Sequence, residues 1–361
     1  MRRIIAGTAA ALLAAVLFLP LKAEAVSAQK AYVLDAVSGR VLFEKNPTEQ
    51  SLIASTTKIM TALIVCEQCN VLDRMRIPKE AVGSEGSSMY LKEGEVLTIQ
   101  ELLYGLMLSS GNDAAVALAI YCGGTMEGFC GLMNDKARNL GLTGTHFENP
   151  NGLDSPGHYS TAKDLAKLAA YAMENPIFYK TVSAKNIKIG ERYLTNHNKL
   201  LWRVEGADGV KTGFTKAAGR ILVSSATRDG RRLIAVTIHD PCDWSDHETL
   251  LEEGFSRYAV QPIISAGDKV GTLDVVGGEN HVVEVLAAED FDYAIAEDER
   301  PCLALSGTGF VYAPAVEGAD AGYVYVLIEG KAVGKVPVIY GATIEQEQEE
   351  EKIFWQKLFD R

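Results

Sequence analysis

The sequence predicts a mixed α/β chain of the α+β kind that closes in a small all-β domain. Three observations carry this. The stretch from Ala54 to Cys66 is apolar on every side instead of along one stripe, which marks a centrally buried helix. The runs Ile221–Thr227 and Leu233–Ile238 flank Arg228-Asp229-Gly230-Arg231, and Asp-Gly between two apolar runs is a strong hairpin signal. From Lys269 to Ile339, short alternating Val, Tyr and Ile strands are separated by glycine and acidic turns.

At 361 residues the chain is long enough for one large domain and a smaller one. Its formal net charge of −12, with no run rich in lysine or arginine, argues against a nucleic-acid partner. Arg2 and Arg3 precede an apolar run from Ile4 to Leu21, followed by Ala23-Glu24-Ala25, a small-x-small cleavage pattern. Residues 1–25 therefore read as a signal peptide for export. An uncleaved anchor is the alternative, because the apolar run is long, and Pro20 near its end favours cleavage. The boundaries expected are 26–260 for the large domain, 261–341 for the all-β domain and 342–361 for an acidic tail. That tail ends in Ile353-Phe354-Trp355 and Leu358-Phe359, a short amphipathic segment able to touch a membrane surface.

Taken in order, Ala31–Leu34 and Val41–Phe43 form a hairpin around Ser38-Gly39. The buried helix starts at Ser55. A helix over Ile99–Leu108 stops at Ser109-Ser110-Gly111-Asn112-Asp113, and a second apolar helix starts at Ala114. Residues 149–158 form a loop rich in Gly, Pro and Asn on the surface. Thr161 and Asp164 make a capping box for a helix over Ala162–Met173. Lys211-Thr212-Gly213-Phe214 falls on a strand beside the Asp229-Gly230 hairpin, where Gly213 leaves room for an extended ligand backbone.

Six cysteines (Cys66, Cys69, Cys122, Cys130, Cys242 and Cys302) remain beyond the leader, and sequence does not give their pairing. Cys66-x-x-Cys69 lies at the carboxyl end of its helix, where the dipole opposes a thiolate, so it is not read as redox-active. The histidines are scattered and no metal-ligand spacing occurs, so no metal and no cofactor is expected.

The chemistry centres on Ser55 and Lys58. Three residues apart at a helix start, they share one face. The serine lies near unpaired N–H groups and the positive end of the dipole. A lysine in apolar surroundings loses solvation, its pKa falls, and it becomes able to act as a base. The bland reading of Ser55 is a helix cap, and Ser27/Lys30 and Ser160/Lys163 repeat the spacing in structural settings. Ser110 and Asn112 on an inter-helix turn, and Lys211 on an edge strand, are likewise ordinary when taken singly.

Together, Ser55-x-x-Lys58, Ser110-x-Asn112 and Lys211-Thr212-Gly213 resemble the motif trio of the penicillin-interacting serine enzymes. Gly86–Leu91, Leu103–Leu108, Asn149–Asp154 and Gly206–Gly213 narrow the likeness to low-molecular-mass penicillin-binding proteins, the exported D-alanyl-D-alanine carboxypeptidases. The resemblance covers nearly the whole chain after the leader. It implies a β-lactamase/transpeptidase-like catalytic domain, with an antiparallel sheet and a helical lobe. It implies peptidoglycan stem peptides ending in D-Ala-D-Ala as substrate, β-lactam antibiotics as covalent ligands, and action at the wall side of the cytoplasmic membrane. Residue by residue, it makes Ser55 the nucleophile, Lys58 the base and Ser110 a proton relay. Asn112 would hold the substrate amide, and Lys211 with Thr212 the terminal carboxylate. Gly213 would let the substrate lie along the strand, and the N–H groups of Ser55 and Phe214 would form the oxyanion hole. Some relatives add an arginine near the carboxylate, and Asp240–His247 shows none clearly. The rival readings are a β-lactamase, with Glu148 as the suggestive carboxylate, and a catalytically silent wall-binding protein.

Overall fold

The computed structural model describes residues 26–307 and 309–347. The leader and the amphipathic segment at 353–359 lie outside the described residues. Strands β1 (Lys30–Asp35) and β2 (Val41–Lys45) form the expected hairpin. The buried helix arrives in two parts, a 3-10 turn at Ala54–Thr57 and then α1 (Lys58–Gln68), where one continuous helix was expected. The cause is local: Ile53 O accepts both Thr56 N (3.2 Å) and Thr56 Oγ1 (2.6 Å), which closes the tighter ring. Every residue of α1 from Lys58 to Cys66 is buried, as its all-round apolar pattern requires.

The two-stranded ribbon of β3 (Arg74–Arg76) and β4 (Val96–Thr98) leads into α2 (Ile99–Leu108), started by a full capping box of Thr98 and Glu101. Helices α3 (Asn112–Gly123), α4 (Met126–Asn139), α5 (Ala162–Met173) and α6 (Pro176–Ser183) complete a lobe around α1. At α5 the capping box is only half made. Thr161 Oγ1 accepts from Asp164 N, but the Asp164 carboxylate turns to Gly144 N and Thr145 Oγ1. A ribbon of β5 (Asn186–Ile189) and β6 (Arg192–Thr195) precedes the main sheet.

That sheet adds β7 (Ala207–Thr215), β8 (Gly219–Arg228) and β9 (Arg231–Ile238) in the order β2-β1-β9-β8-β7, antiparallel throughout. Asp229 and Gly230 both have positive φ (49° and 79°), the two-residue turn that Asp-Gly favours. One face of the sheet packs on the helical lobe and the other on α7 (Asp243–Arg257). β7 is thereby left as an edge strand, facing the 3-10 turn.

The small domain comprises β10 (Tyr258–Ile264), β11 (Lys269–Val276), β12 (Val282–Ala287), β13 (Phe291–Ala296), β14 (Cys302–Leu305), β15 (Phe310–Tyr312), β16 (Asp320–Ile328) and β17 (Lys331–Tyr340). β10 pairs with β13, and the rest form a sheet in the order β14-β16-β17-β12-β11-β15. Val324, Val326 and Ile328 alternate inward, which is how the sequence announced strands. The chain stays on this domain past residue 341, with Ile344 buried and bridged to Ala315, and Gln346 bridged to Gly278. Arg40 joins the two domains by a paired contact to Glu299 (2.6 and 2.5 Å) under the ring of Tyr258. Among the described residues no single helix is long and apolar enough to cross a membrane. All six cysteines are free thiols, and burial pushes that of Cys66 up to about 12.

Candidate active site

The 3-10 turn, the start of α3 and the edge strand β7 meet at one cavity of about 310 Å³. Ser55, Ser110, Thr212, Gly213 and Phe214 line it. Lys58, Asn112 and Lys211 lie behind that lining and are buried. All eight residues singled out in the sequence thus converge on one place.

Lys58 is fully buried, and its Nζ has three neighbours: Ser55 Oγ at 3.0 Å, Asn112 Oδ1 at 2.7 Å and the Asn151 carbonyl at 2.5 Å. Burial first, then the like charge of Lys211, holds its pKa well below the ordinary lysine range, while Asp113 pulls the other way. A neutral amine 3.0 Å from a hydroxyl can take that hydroxyl's proton. Asn112 is fixed in turn. Its backbone N–H donates to Ser87 O (2.7 Å) and its amide to Glu85 O (2.5 Å). Asp113, also buried, accepts from Met89 N, Leu91 N and Ser88 Oγ, and so fastens the loop before β4 to the start of α3.

Ser110 stands on the α2–α3 turn with φ +58°, a conformation costly for a non-glycine residue. Its Oγ is buried at the cavity wall and has no protein partner. Lys211 is buried on β7 and donates to Thr212 O at 2.9 Å. Burial alone brings its pKa down to about 7. An edge lysine is ordinarily solvated, so this burial separates Lys211 from an aggregation guard. A Cβ on Gly213 would stand 3.2 Å from Ile53 O and 3.3 Å from Ser55 N, so glycine lets β7 pack closely against the turn that carries Ser55.

Other contributors were not found from the sequence. The loop at 149–158, read as a surface loop, is one only in part: Asp154 and Pro156 are exposed, while Asn151, Gly152 and His158 are buried. Gly152 is pressed so close to the 3-10 turn that a Cβ would meet Ala54 O at 1.9 Å. Arg220, from β8, also lines the cavity. Its Nη2 donates to both carboxylate oxygens of Asp243 (2.6 and 2.8 Å), Trp244 lies 5.7 Å away, and its buried Nε has no partner. The stretch 240–247, which holds no arginine, instead supplies this arginine's carboxylate, Asp243, and its ring, Trp244. Arg220 pairs with Phe214 across the hairpin, so counting register from Lys211-Thr212-Gly213-Phe214 would have found it. Glu148, by contrast, is not among the residues lining the cavity, and its carboxylate is occupied by Ser155 Oγ and Gly157 N.

The family model described as D-alanyl-D-alanine carboxypeptidase matches residues 19–242. The chain belongs to this family. A second model, the C-terminal domain of penicillin-binding protein 5, matches residues 258–346, the small β domain. Among curated D-alanyl-D-alanine carboxypeptidases, DacC of Escherichia coli is 34% identical over 90% of this chain and 86% of its own length. DacF of Bacillus subtilis is 31% identical over 86% of this chain and 84% of its own. The solved structure of penicillin binding protein 5 from Haemophilus influenzae superposes with a TM-score of 0.75 at 29% identity, covering 89% of this chain and 98% of that one. The transpeptidase-like fold and the serine-peptidase class of this D-alanyl-D-alanine carboxypeptidase family member follow from these matches.

Proposed function

We propose that this serine carboxypeptidase removes the terminal D-alanine from peptidoglycan pentapeptides through an acyl-enzyme on Ser55. The observation that carries the assignment is the fully buried Lys58 with Nζ 3.0 Å from Ser55 Oγ. Ser55 Oγ attacks the carbonyl of the penultimate D-alanine while neutral Lys58 takes its proton. The proton passes by way of Ser110 to the leaving nitrogen, so D-alanine departs as the free amino acid. Water then hydrolyses the ester and Ser55 recovers its proton. The N–H groups of Ser55 and Phe214 hold the oxyanion, a contribution often worth ~3 kcal/mol per donor.

Asn112 holds the substrate amide, the substrate backbone lies along Gly213, and Lys211 with Thr212 receives the terminal carboxylate. Arg220 at the same cavity adds a second cation. Burial lowers the Lys211 pKa, and an arriving carboxylate favours its charged form. Penicillin enters the same path and remains on Ser55 as an ester. Export with cleavage after Ala25 places the enzyme at the outer face of the cytoplasmic membrane. The segment at 353–359 gives it peripheral contact there. Release of D-alanine from a pentapeptide, beside mass spectrometry of the penicillin-treated and digested protein, tests the assignment. An adduct on Ser27 or Ser160 in place of Ser55 would overturn it.

A further inference from the structure

A protonated lysine donates three hydrogens, and Lys58 has three acceptors in reach. As a base it is neutral, with two N–H groups and one lone pair. Catalysis requires the lone pair, and not an N–H, to face Ser55. The two shorter contacts decide this: with hydrogens committed to Asn112 Oδ1 (2.7 Å) and Asn151 O (2.5 Å), the remaining tetrahedral direction meets Ser55 Oγ. Asn112 is anchored through Glu85 and Ser87, as described above. The Asn151 carbonyl belongs to a loop, and what holds that loop sets where the lone pair points.

His158 ties the loop down. Its Nδ1 accepts from Glu148 N at 3.1 Å. That leaves the ring proton on Nε2, which donates to Thr57 Oγ1 at 2.7 Å. One imidazole therefore fastens both ends of the loop to the residue immediately before Lys58. Thr61 Oγ1 bonds Pro150 O (2.6 Å) in support. The ring is buried and does not line the catalytic cavity. Glu148, His146 and Lys58 are the charged groups that act on it, and burial outweighs them, keeping the ring neutral with its pKa near 4.

We propose that His158 is a positioning residue for Lys58: through Thr57 and the Asn151 carbonyl it aims the lone pair of the base at Ser55. The inference rests on the reading of Lys58 as the base. It predicts a loss in the acylation step and not in prior binding, because His158 touches nothing in the cavity. Stopped-flow acylation of the full-length protein with a fluorescent penicillin separates the two constants.

In His158→Leu the acylation constant should fall about tenfold or more, as small misplacements of catalytic groups do, while the binding constant stays within about twofold. His158→Gln, whose amide can still donate to Thr57, should recover most of the loss. Nitrogen NMR of the imidazole should show the neutral Nε2–H tautomer. If His158→Leu does not fold, Thr57→Val removes the same bond and should show the same split. An unchanged acylation constant, equal losses in both constants, or a glutamine variant no better than leucine would overturn the proposal. Lys58→Arg is the separate arm: acylation surviving there removes the base reading itself, and this inference with it, whereas an inert His158 beside an essential Lys58 sinks only the positioning role.

Discussion

The two domains bury opposite things. Among the described residues, every buried lysine, carboxylate, amide, histidine, serine and threonine side chain lies between Lys30 and His247. The small domain buries an apolar set built on Val324, Val326, Val336 and Val338. Apolar burial stabilises a fold without conditions, whereas a buried ionisable group costs stability unless it is paired or neutralised. Lys58 and Lys211 each give up hydration for their charge, and their lowered pKa values reflect that cost. The contrast separates a domain that buries titratable groups from one that buries an apolar set.

The most severe test of this contrast is at Lys58. Lys58→Arg should abolish acylation by fluorescent penicillin with far-ultraviolet dichroism unchanged, because guanidinium does not deprotonate in proteins. In the unaltered protein, acylation should rise with pH through a limb well below ~10, the free lysine value. A limb that stays near ~10 would remove Lys58 as base. Next comes Lys211→Ala, which should weaken transition-state binding of a peptide acid by ~1.5–3 kcal/mol relative to a matched neutral ester. Equal losses in kcat/KM on both substrates would reassign Lys211 to a structural role.

Acid should separate the domains as well. His158 and His247 are buried, with pKa values brought down to about 4 and about 3 by desolvation. Their folded values lie below the unfolded one, so the unfolded chain binds more protons in the window between. Stability is therefore complete above ~6.5 and falls by up to ~1.4 kcal/mol per histidine for each pH unit below it. The catalytic domain should unfold first on acidification, followed by tryptophan fluorescence, and His247→Gln should shift its midpoint to lower pH. Coincident unfolding of both domains would erase the contrast. The smallest effect is expected at the exposed Lys269–Glu284 pair of the small domain, where Lys269→Ala should change stability by under ~1 kcal/mol in urea titration.

The same division explains what the sequence disclosed. Alternation in β16 and the Asp229-Gly230 turn are local patterns, and α5 runs over Ala162–Met173 as read. Ser55, Lys58, Ser110, Asn112 and Lys211 were found because hydroxyls, amides and lysines in set order leave a side-chain signature. The Asn151 carbonyl left none, since every residue carries one. Arg220 was hidden by strand register, and His158 by a loop composition that reads as surface. The 3-10 turn at Ala54–Thr57 depends on one threonine hydroxyl competing for one carbonyl, a choice that no helical periodicity encodes.

The edge strand β7 has a consequence for how firmly the nucleophile is held. At Gly213 it packs against the 3-10 turn so closely that even a methyl would crowd Ile53 O and Ser55 N. The strand that presents Gly213 and the turn that presents Ser55 are thereby one packed unit, so a displacement of either would carry the other with it.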